Sequence, residues 1–232
     1  MRIGILEAGN PPARLAGLYP SYGEMTAKLL GDPVDVTIFA VARGEWPSRP
    51  DAFDAFLITG SPAGIYDDLP WIEDLIAFLR DLDRRTKLVG LCFGHQVMAQ
   101  AFGGTVRKSE KGWGLGLHRY DVHECAPWMD SARQVAVMAI HQDQVVEPPP
   151  HARILAGSTF TPCGILAYGD RYAISFQFHP EFERDYAEAL IAGHHPPVAH
   201  DTAFHASAIA SLKGPSDSAR VGAWIRRFLE LD

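Results

Sequence analysis

An apolar run that leads directly into a glycine-flanked cysteine constrains the fold of this chain more than any other feature. Residues 87–91 read Lys-Leu-Val-Gly-Leu, and Cys92 follows between Gly90 and Gly94. A run of this kind feeding into Gly-x-Cys-x-Gly is typical of a strand that turns sharply into a helix. Glycines on both sides permit a strained turn and the close approach of a substrate. We therefore expect Cys92 to be exposed at a helix N-terminus, where the helix dipole favours the thiolate over the thiol.

Taken alone, Cys92 is also compatible with a small buried side chain of the core. A chemical partner for it lies far along the chain, where the alternating residues 173–178 end in a His-Pro-Glu motif. His179 at a strand end can accept the thiol proton, and the carboxylate of Glu181 can hold the imidazole in the required tautomer. On its own, His179 would more often be interpreted as a structural histidine. The two segments together favour a catalytic Cys92–His179–Glu181 triad.

The two motifs resemble those of the class I glutamine amidotransferases. In that family the cysteine stands in Gly-x-Cys-x-Gly-x-Gln, and a His-Pro-Glu motif follows far downstream. Every position of both motifs is present, at residues 90–96 and 179–181. The resemblance covers nearly the whole chain, from the first predicted strand to about Tyr186.

Further segments are similar to the family. Residues 57–62 match its glycine-rich strand end, residues 101–104 match the end of the helix after the cysteine, and residues 141–145 match its substrate-side loop. Residues 111–114 resemble the stand-alone, GMP-synthase-like branch. One departure is Ser61, where many relatives have a second glycine, but the family uses a backbone N–H at this position.

The first half of the chain alternates predicted strands with predicted helices. Apolar strands separated by helices are typical of a doubly wound α/β fold, a mainly parallel sheet with helices on both faces, and the family resemblance implies the same flavodoxin-like arrangement. Sites in such sheets form at the carboxyl ends of strands, and Gly60, Cys92 and His179 each follow a predicted strand. Strands are expected at residues 2–7, 34–39, 55–58 and from 88, and helices at 21–30, with a Ser21–Glu24 capping box and a closing Gly31, and at 71–82.

The second half is richer in strands, so we expect extra antiparallel strands beside the parallel ones. We interpret residues 1–232 as a single domain of the glutamine amidotransferase type, a length that one α/β domain commonly reaches. Three prolines at 148–150 predict a rigid turn rather than a linker. The strands are expected at residues 104–108, 115–123, 134–140, 152–157, 164–169 and 171–178.

The C-terminal region contains a histidine-rich segment and a final helix. Residues 193–205 are polar and irregular, which predicts a loop. No carboxylate or cysteine stands there at ligand spacing, so we expect no metal site. Ser216 or Asp217 is expected to cap the last helix, whose apolar face is expected to join the core.

Charge and cysteine usage narrow the possible partners and the compartment. The formal net charge of −7 and the absence of a basic stripe argue against nucleic acid and membrane surfaces as partners. No apolar run approaches the length of a membrane span, and the chain starts with a strand pattern, so a cytoplasmic location is expected. Cys92, Cys125 and Cys163 are widely spaced without zinc-like pairing, as expected in a reducing compartment. We expect no functional role for Cys125 and Cys163.

The resemblance implies hydrolysis of the γ-glutamyl amide of glutamine to glutamate and ammonia, without a cofactor. In this interpretation the Cys92 thiolate attacks the side-chain carbonyl and forms a γ-glutamyl thioester. His179 protonates the departing amine and later acts as the base for water. Glu181 orients His179.

The resemblance also implies which residues stabilise the oxyanion and bind the substrate. The oxyanion donors would be the backbone N–H groups of Phe93 and of the Gly60–Ser61 turn. Gln96 lies one helical turn after Cys92 and can face the same site. Without the resemblance, Gln96 would be interpreted as a solvated helix residue and Asp143 as a turn former. The segment expected to hold the α-amino and α-carboxylate ends, largely through backbone atoms, comprises His141, Gln142 and Asp143.

Three functions remain open at this stage. The chain has no Gly-x-x-x-x-Gly-Lys-Ser/Thr phosphate loop, so a glutaminase of this type would deliver ammonia to a separate synthetase subunit. A stand-alone γ-glutamyl peptidase acting on γ-glutamyl peptides or glutathione conjugates would use the same triad. A non-catalytic regulatory protein is the third, although the loss of a triad residue would be expected of it. The pocket around the leaving group separates the first two, and the candidates for it are Tyr66, Trp113 and His118.

Overall fold

Strands and helices alternate through the first hundred residues, and strands dominate the middle of the chain. The computed structural model describes residues 1–31, 35–193 and 202–231. Within these residues the strands are β1 (Arg2–Leu6), β2 (Asp35–Phe39), β3 (Ala55–Ile58), β4 (Lys87–Leu91), β5 (Thr105–Lys108), β6 (Gly114–Val122), β7 (Gln134–His141), β8 (Asp143–Glu147), β9 (Ala152–Gly157), β10 (Ile165–Tyr168) and β11 (Ala173–Phe176). The helices are α1 (Tyr22–Leu30), α2 (Pro70–Asp81), α3 (Phe93–Ala101), α4 (Arg184–Ala192), α5 (Thr202–Ser211) and α6 (Ser218–Glu230), with short 3₁₀ turns at Val41–Arg43 and Pro50–Ala52.

The central sheet has the strand order β2-β1-β3-β4-β11-β10-β9-β6-β7 in the part of the chain described. The strands from β2 to β11 in this order pair in parallel, and those from β11 to β7 pair antiparallel. A separate antiparallel pair joins β5 and β8. The expected mainly parallel α/β sheet with additional antiparallel strands is therefore confirmed. The parallel arrangement brings the carboxyl ends of β3, β4 and β11 to one edge.

Two apolar clusters cover the two faces of the sheet, because alternate residues of each strand point to opposite sides. Leu57 and Val89 face α1 and α6, whereas Phe56 and Leu88 face α2 and α3. Trp224 of α6 is completely buried, so the apolar face of the last helix joins the core as predicted. A third cluster joins α1, α4 and α5 to β6 and β7 beyond the antiparallel edge. This third cluster forms one wall of the candidate site.

The N-terminus of α1 is fixed by the predicted capping box. Ser21 Oγ accepts a hydrogen bond from the Glu24 N–H at 3.2 Å, and Glu24 Oε2 accepts one from the Ser21 N–H at 2.7 Å. Gly31 follows the helix with a φ of 72°, a left-handed value that glycine tolerates. Both ends of α1 therefore lie where the sequence predicts them.

Ser21→Ala is expected to lower the free energy of unfolding by about 1 kcal/mol, because an N-cap side chain satisfies an otherwise unpaired helix N–H. Urea unfolding followed by circular dichroism measures the change. Ser48→Ala is a matched control, since Ser48 is exposed and makes no side-chain hydrogen bond within the described residues. Equal effects of the two substitutions would contradict a stabilising cap.

Several sequence predictions need correction. Residues 202–205 lie in α5 rather than in a loop, while residues 194–201, which include most of the histidine-rich segment, are outside the described residues. Residues 141–145 belong to the ends of two strands, β7 and β8, rather than to a loop. Asp217 precedes α6 but does not cap it with its side chain. Its carboxylate instead accepts a hydrogen bond from the Ala136 N–H of β7 at 2.9 Å.

Candidate active site

Cys92 occupies the sharp turn between β4 and α3. Its backbone has φ 50° and ψ −99°, and among the described residues it is the only non-glycine residue with a positive φ. Such a conformation costs roughly 1–3 kcal/mol and persists only where the surrounding structure enforces it. The first turn of α3 begins at the next residue, so the sulfur lies at the positive end of the helix dipole. The predicted strand–turn–helix arrangement is present, with the backbone strain on the cysteine itself.

The flanking glycines serve close packing rather than unusual backbone angles. A Cβ atom at Gly94 would lie 2.3 Å from the Ile58 carbonyl oxygen of β3, and one at Gly90 would lie 2.5 Å from the Gly94 backbone. Helix α3 therefore packs directly against the sheet.

The expectation that Cys92 is exposed is wrong, because only 6% of its surface is accessible to solvent. It reaches solvent through a cavity instead.

His179 lies just beyond β11, the strand next to β4, and Glu181 lies beside it. Glu181 Oε1 is 2.7 Å from His179 Nδ1, and both side chains are buried. With Nδ1 held by the carboxylate, Nε2 remains for the Cys92 thiol. Phe182 stacks on the imidazole, with ring centroids 4.1 Å apart and planes 6° apart. The imidazole is thus fixed by the carboxylate at its edge and by an aromatic ring on its face.

The charge state of His179 depends on its two neighbours. Burial alone lowers the pKa of His179, but the negative charges of Cys92 and Glu181 outweigh burial and raise that pKa from 6.5 to about 10. The site therefore favours an imidazolium beside Cys92 and Glu181. Because the pKa is higher in the folded state, this pairing stabilises the fold fully below about pH 6.5, and its contribution is lost as the pH rises through about 10.

We expect the His179 imidazole to be still protonated at pH 8 in the wild-type protein, and Cys92→Ala to lower its pKa because the substitution removes the thiolate charge. Long-range ¹H–¹⁵N NMR spectra of the histidine side chains over pH 5–11 measure this titration. His95 and His141 serve as internal references, since burial lowers the pKa of each to about 3 and both remain neutral across this range. A His179 pKa near 6.5 in both proteins would contradict the ion pair.

A chain of side-chain amides runs behind the sulfur. Gln177 Nε2 lies 3.8 Å from Cys92 Sγ as a donor, and Gln177 Oε1 accepts from Gln96 Nε2 at 3.4 Å. Gln96 Nε2 also donates to the Asp143 carbonyl oxygen at 2.9 Å. Sequence reasoning missed Gln177 and Phe182. The alternation of β11 offered a signal for Gln177, because residues 175, 177 and 179 share the face opposite to the core-facing Phe176 and Phe178.

The predicted oxyanion donors lie close to Cys92 and His179. A Cβ atom at Gly60 would be 2.8 Å from His179 Cε1 and 3.8 Å from Cys92 Cβ, so only glycine permits this approach. Phe93 is the first residue of α3, so its N–H has no partner within the helix. Ser61 lines the cavity beside Cys92.

A cavity of about 490 Å³ opens above Cys92 and His179. Tyr66 Oη donates to Asp143 Oδ1 at 2.8 Å, so Tyr66 and Asp143 form one polar unit of its wall. Trp113, the second candidate for the leaving-group pocket, also lines the cavity. His118 does not, because it packs against Phe160 and approaches the Leu115 carbonyl. The predicted site residues that line it are Ser61, Cys92, Gln96, His141, Gln142, Asp143 and His179.

Within residues 1–31, 35–193 and 202–231, no group of three or more His, Cys, Asp or Glu side chains is arranged to hold a metal ion. No helix in the same ranges is both long enough and apolar enough to cross a membrane.

Comparisons with known proteins agree on one family. A family model described as glutamine amidotransferase class-I matches residues 25–191. A glutamine amidotransferase-like protein of Schizosaccharomyces pombe is 30% identical over 205 residues, covering 82% of each chain. Gamma-glutamyl peptidase 2 of Arabidopsis thaliana is 29% identical, covering 79% of this chain and 77% of the peptidase.

The fold also has a close counterpart among solved structures. A glutamine amidotransferase from Thermotoga maritima superposes with a TM-score of 0.80 over 99% of this chain and 98% of that one. Its sequence is 16% identical, so the likeness concerns the fold alone.

Proposed function

Because this chain belongs to the class I glutamine amidotransferase family, we propose that it hydrolyses γ-glutamyl amides through a covalent γ-glutamyl thioester on Cys92. The observation that carries the proposal is the position of His179, which Glu181 holds at 2.7 Å next to a strained, helix-capping cysteine. The raised pKa of His179 supports a thiolate–imidazolium pair in the resting state. Such a pair supplies both a nucleophile and a general acid.

In the first half-reaction, Cys92 Sγ forms a bond to the side-chain carbonyl carbon of the γ-glutamyl group. The carbonyl π electrons move onto oxygen and produce a tetrahedral oxyanion. As this intermediate collapses, the C–N bond breaks and His179 Nε2 gives its proton to the departing nitrogen. The products of this step are the thioester, a free amine and a neutral imidazole.

In the second half-reaction, the neutral His179 removes a proton from water, and the resulting hydroxide forms a bond to the thioester carbonyl carbon. The C–S bond then breaks, which releases glutamate and restores the Cys92 thiolate beside the protonated histidine. Glu181 keeps the proton on Nδ1 throughout, so that Nε2 exchanges protons in both steps. This cycle consumes one water molecule and needs no cofactor.

The oxyanion of both tetrahedral intermediates requires preorganised N–H donors. We assign these donors to Phe93 at the start of α3 and to the Gly60–Ser61 turn, which packs against the His179 ring. Donors of this kind typically contribute about 3 kcal/mol each to transition-state stabilisation. The dipole of α3 adds a favourable field for the developing negative charge.

The amino-acid end of the substrate fits the polar side of the cavity. Asp143, whose carboxylate accepts a hydrogen bond from Tyr66, can bind the α-ammonium group. Burial raises the pKa of Asp143, and the Tyr66 hydrogen bond and the nearby charge of Lys108 offset this only in part, so a bound ammonium would reduce the cost of burying the carboxylate. Lys108 is a suitable partner for the α-carboxylate. Gln96, Gln142 and His141 complete this side.

The identity of the leaving amine decides between the two enzymatic alternatives. Ammonia would require a separate synthetase subunit as acceptor, whereas a peptide amine would make the chain a stand-alone γ-glutamyl peptidase. The catalytic steps are the same for both. A regulatory protein without activity receives less support, since Cys92, His179 and Glu181 are all present and lie in contact with one another.

Glutamate release from glutamine and from γ-glutamyl peptides by the purified protein tests the proposal. Added hydroxylamine should intercept the thioester and give γ-glutamyl hydroxamate at the expense of glutamate, because it competes with water for the same acyl group. Rapid acid quench followed by intact-protein mass spectrometry should detect the γ-glutamyl adduct on Cys92. The absence of glutamate release, hydroxamate and adduct with every substrate would reject the proposal.

A further inference from the structure

The wall of the cavity beside His179 is apolar. Tyr22 and Phe182 are buried members of the third hydrophobic cluster, the one that joins α1, α4 and α5 to β6 and β7. Trp113, Ile140 and Leu190 pack against this same cluster, and all five residues line the cavity. One continuous apolar surface therefore borders the catalytic histidine.

Specific contacts hold this apolar wall in place. The Tyr22 and Phe182 rings lie 5.4 Å apart, and Phe182 stacks on His179. The segment after β1 is tied to the end of α4, because the Arg14 guanidinium donates to the Ala189 and Leu190 carbonyl oxygens at 2.9 and 3.0 Å. That segment also contributes Pro12 to the cavity lining. The apolar wall is thus held by contacts from two separate parts of the chain.

The two ends of a γ-glutamyl substrate would contact different walls of the cavity, the amino-acid end the polar wall and the leaving amine the apolar wall. The amino-acid end requires charged partners, which Asp143 and Lys108 of the cavity lining provide. The leaving nitrogen must lie within hydrogen-bonding reach of His179, because His179 protonates it. The group attached to that nitrogen therefore lies against the ring of Phe182 and the side chains around it.

We infer that the preferred substrates are γ-glutamyl amides whose leaving amine carries an apolar side chain. The inference rests on the proposed γ-glutamyl hydrolysis and specifies its leaving group. Ammonia would leave the apolar wall without a contact. A cavity of about 490 Å³ has room for more than one amino acid, since pockets of roughly 300–1,000 Å³ enclose drug-sized ligands.

The test compares kcat/KM for glutamate release from γ-glutamyl-leucine, γ-glutamyl-glycine and glutamine with the wild-type protein. The two dipeptides present the same amide and the same terminal carboxylate, so they differ only in the apolar side chain. We expect the leucine dipeptide to exceed the glycine dipeptide and glutamine by about tenfold or more, because even one methylene in a hydrophobic pocket changes discrimination by roughly that factor. A glycine dipeptide or glutamine used as well as the leucine dipeptide would overturn the inference.

A pair of matched variants adds an independent measurement. Leu190→Asp places a charge in the apolar wall and is expected to lower the leucine-to-glycine ratio about tenfold. Leu18→Asp is the control, since Leu18 is 74% exposed and does not line the cavity, and it should leave the ratio unchanged. An unaltered ratio in folded Leu190→Asp would count against the apolar wall. The substrate comparison on the wild-type protein holds even if this variant does not fold.

Different results would reject the γ-glutamyl hydrolysis and the preference for an apolar leaving amine. Glutamate release that disappears in Cys92→Ser but shows no apolar preference would reject the inference and retain the hydrolysis. The absence of Cys92-dependent release from all three substrates would reject the hydrolysis itself, and the inference with it.

Discussion

Replacement of Cys92 with serine is expected to lower kcat/KM for γ-glutamyl amide hydrolysis by about 10⁴-fold or more, with the fold retained. A serine hydroxyl is a weaker nucleophile than a cysteine sulfur, and it lacks the charge interaction through which Cys92 raises the pKa of His179. The substitution therefore removes both the nucleophile and the negative charge that keeps His179 protonated. Steady-state glutamate release measures the loss.

Cys125→Ser provides the matched control for this experiment. Cys125 is exposed, and its sulfur lies near the Asp130 carbonyl in a loop that does not contribute to the cavity. We expect full activity in this variant. More than a hundredth of wild-type activity in Cys92→Ser, or a comparable loss in Cys125→Ser, would place the nucleophile elsewhere.

The proximity of Cys92, His179 and Glu181 could be predicted from the sequence, because these residues belong to two short motifs. The order of strand, tight turn and helix places Cys92 at the end of β4, and the end of β11 places His179 beside it, since these strands are neighbours in the sheet. Glu181 follows His179 by two residues, so its position needs no long-range information. Local sequence is therefore sufficient for this part of the site.

The surroundings of Cys92 and His179 are less predictable, because they depend on a local turn of the chain and on packing between distant segments. The Phe182 ring reaches His179 only because residues 180–182 turn back over the imidazole. Tyr22, which belongs to α1, joins the same wall through contacts across more than 150 residues of sequence. Periodicity assigns such residues to a core but does not show which cavity they border.

The helix α5 shows a different limit of sequence reasoning. Thr202–Ser211 contains no charged Asp, Glu, Lys or Arg residue, and among its residues only Ala208 is buried. Its small and polar residues lack the clear apolar stripe that marks a surface helix. The preceding histidines and prolines favour a loop, and nothing in the sequence pattern separates the helical residues from it.

The burial of Cys92 also depends on tertiary packing. A strained turn at a helix N-terminus predicts an accessible sulfur, but α3 is packed so closely on β3 that the turn lies at the base of a cavity. Access is then limited to what the cavity admits. A buried sulfur of this kind is shielded from general solvent, so we expect it to react with groups that fit the walls of the cavity.

Glu181→Gln is expected to lower kcat by about 10³-fold with little change in KM, because loss of the orienting carboxylate allows the wrong imidazole tautomer. Glu181 Oε1 now accepts from His179 Nδ1 at 2.7 Å. A glutamine amide in its place can donate to Nδ1, which moves the proton to Nε2 and prevents that atom from accepting one. The same change removes a negative charge that raises the pKa of His179, so the imidazolium is also less stable.

Glu183→Gln is the control two residues further along. Glu183 is exposed and pairs with Lys28 at the surface, where solvent screens an ion pair strongly. The kcat of Glu183→Gln should equal that of the wild type. If Glu181 had a purely structural role, a folded Glu181→Gln protein would also have the wild-type kcat. The pKa of His179 separates the two cases, because only an orienting carboxylate makes kcat and that pKa fall together. A folded Glu181→Gln protein with unchanged kcat and unchanged His179 titration would remove Glu181 from the mechanism and leave a cysteine–histidine pair.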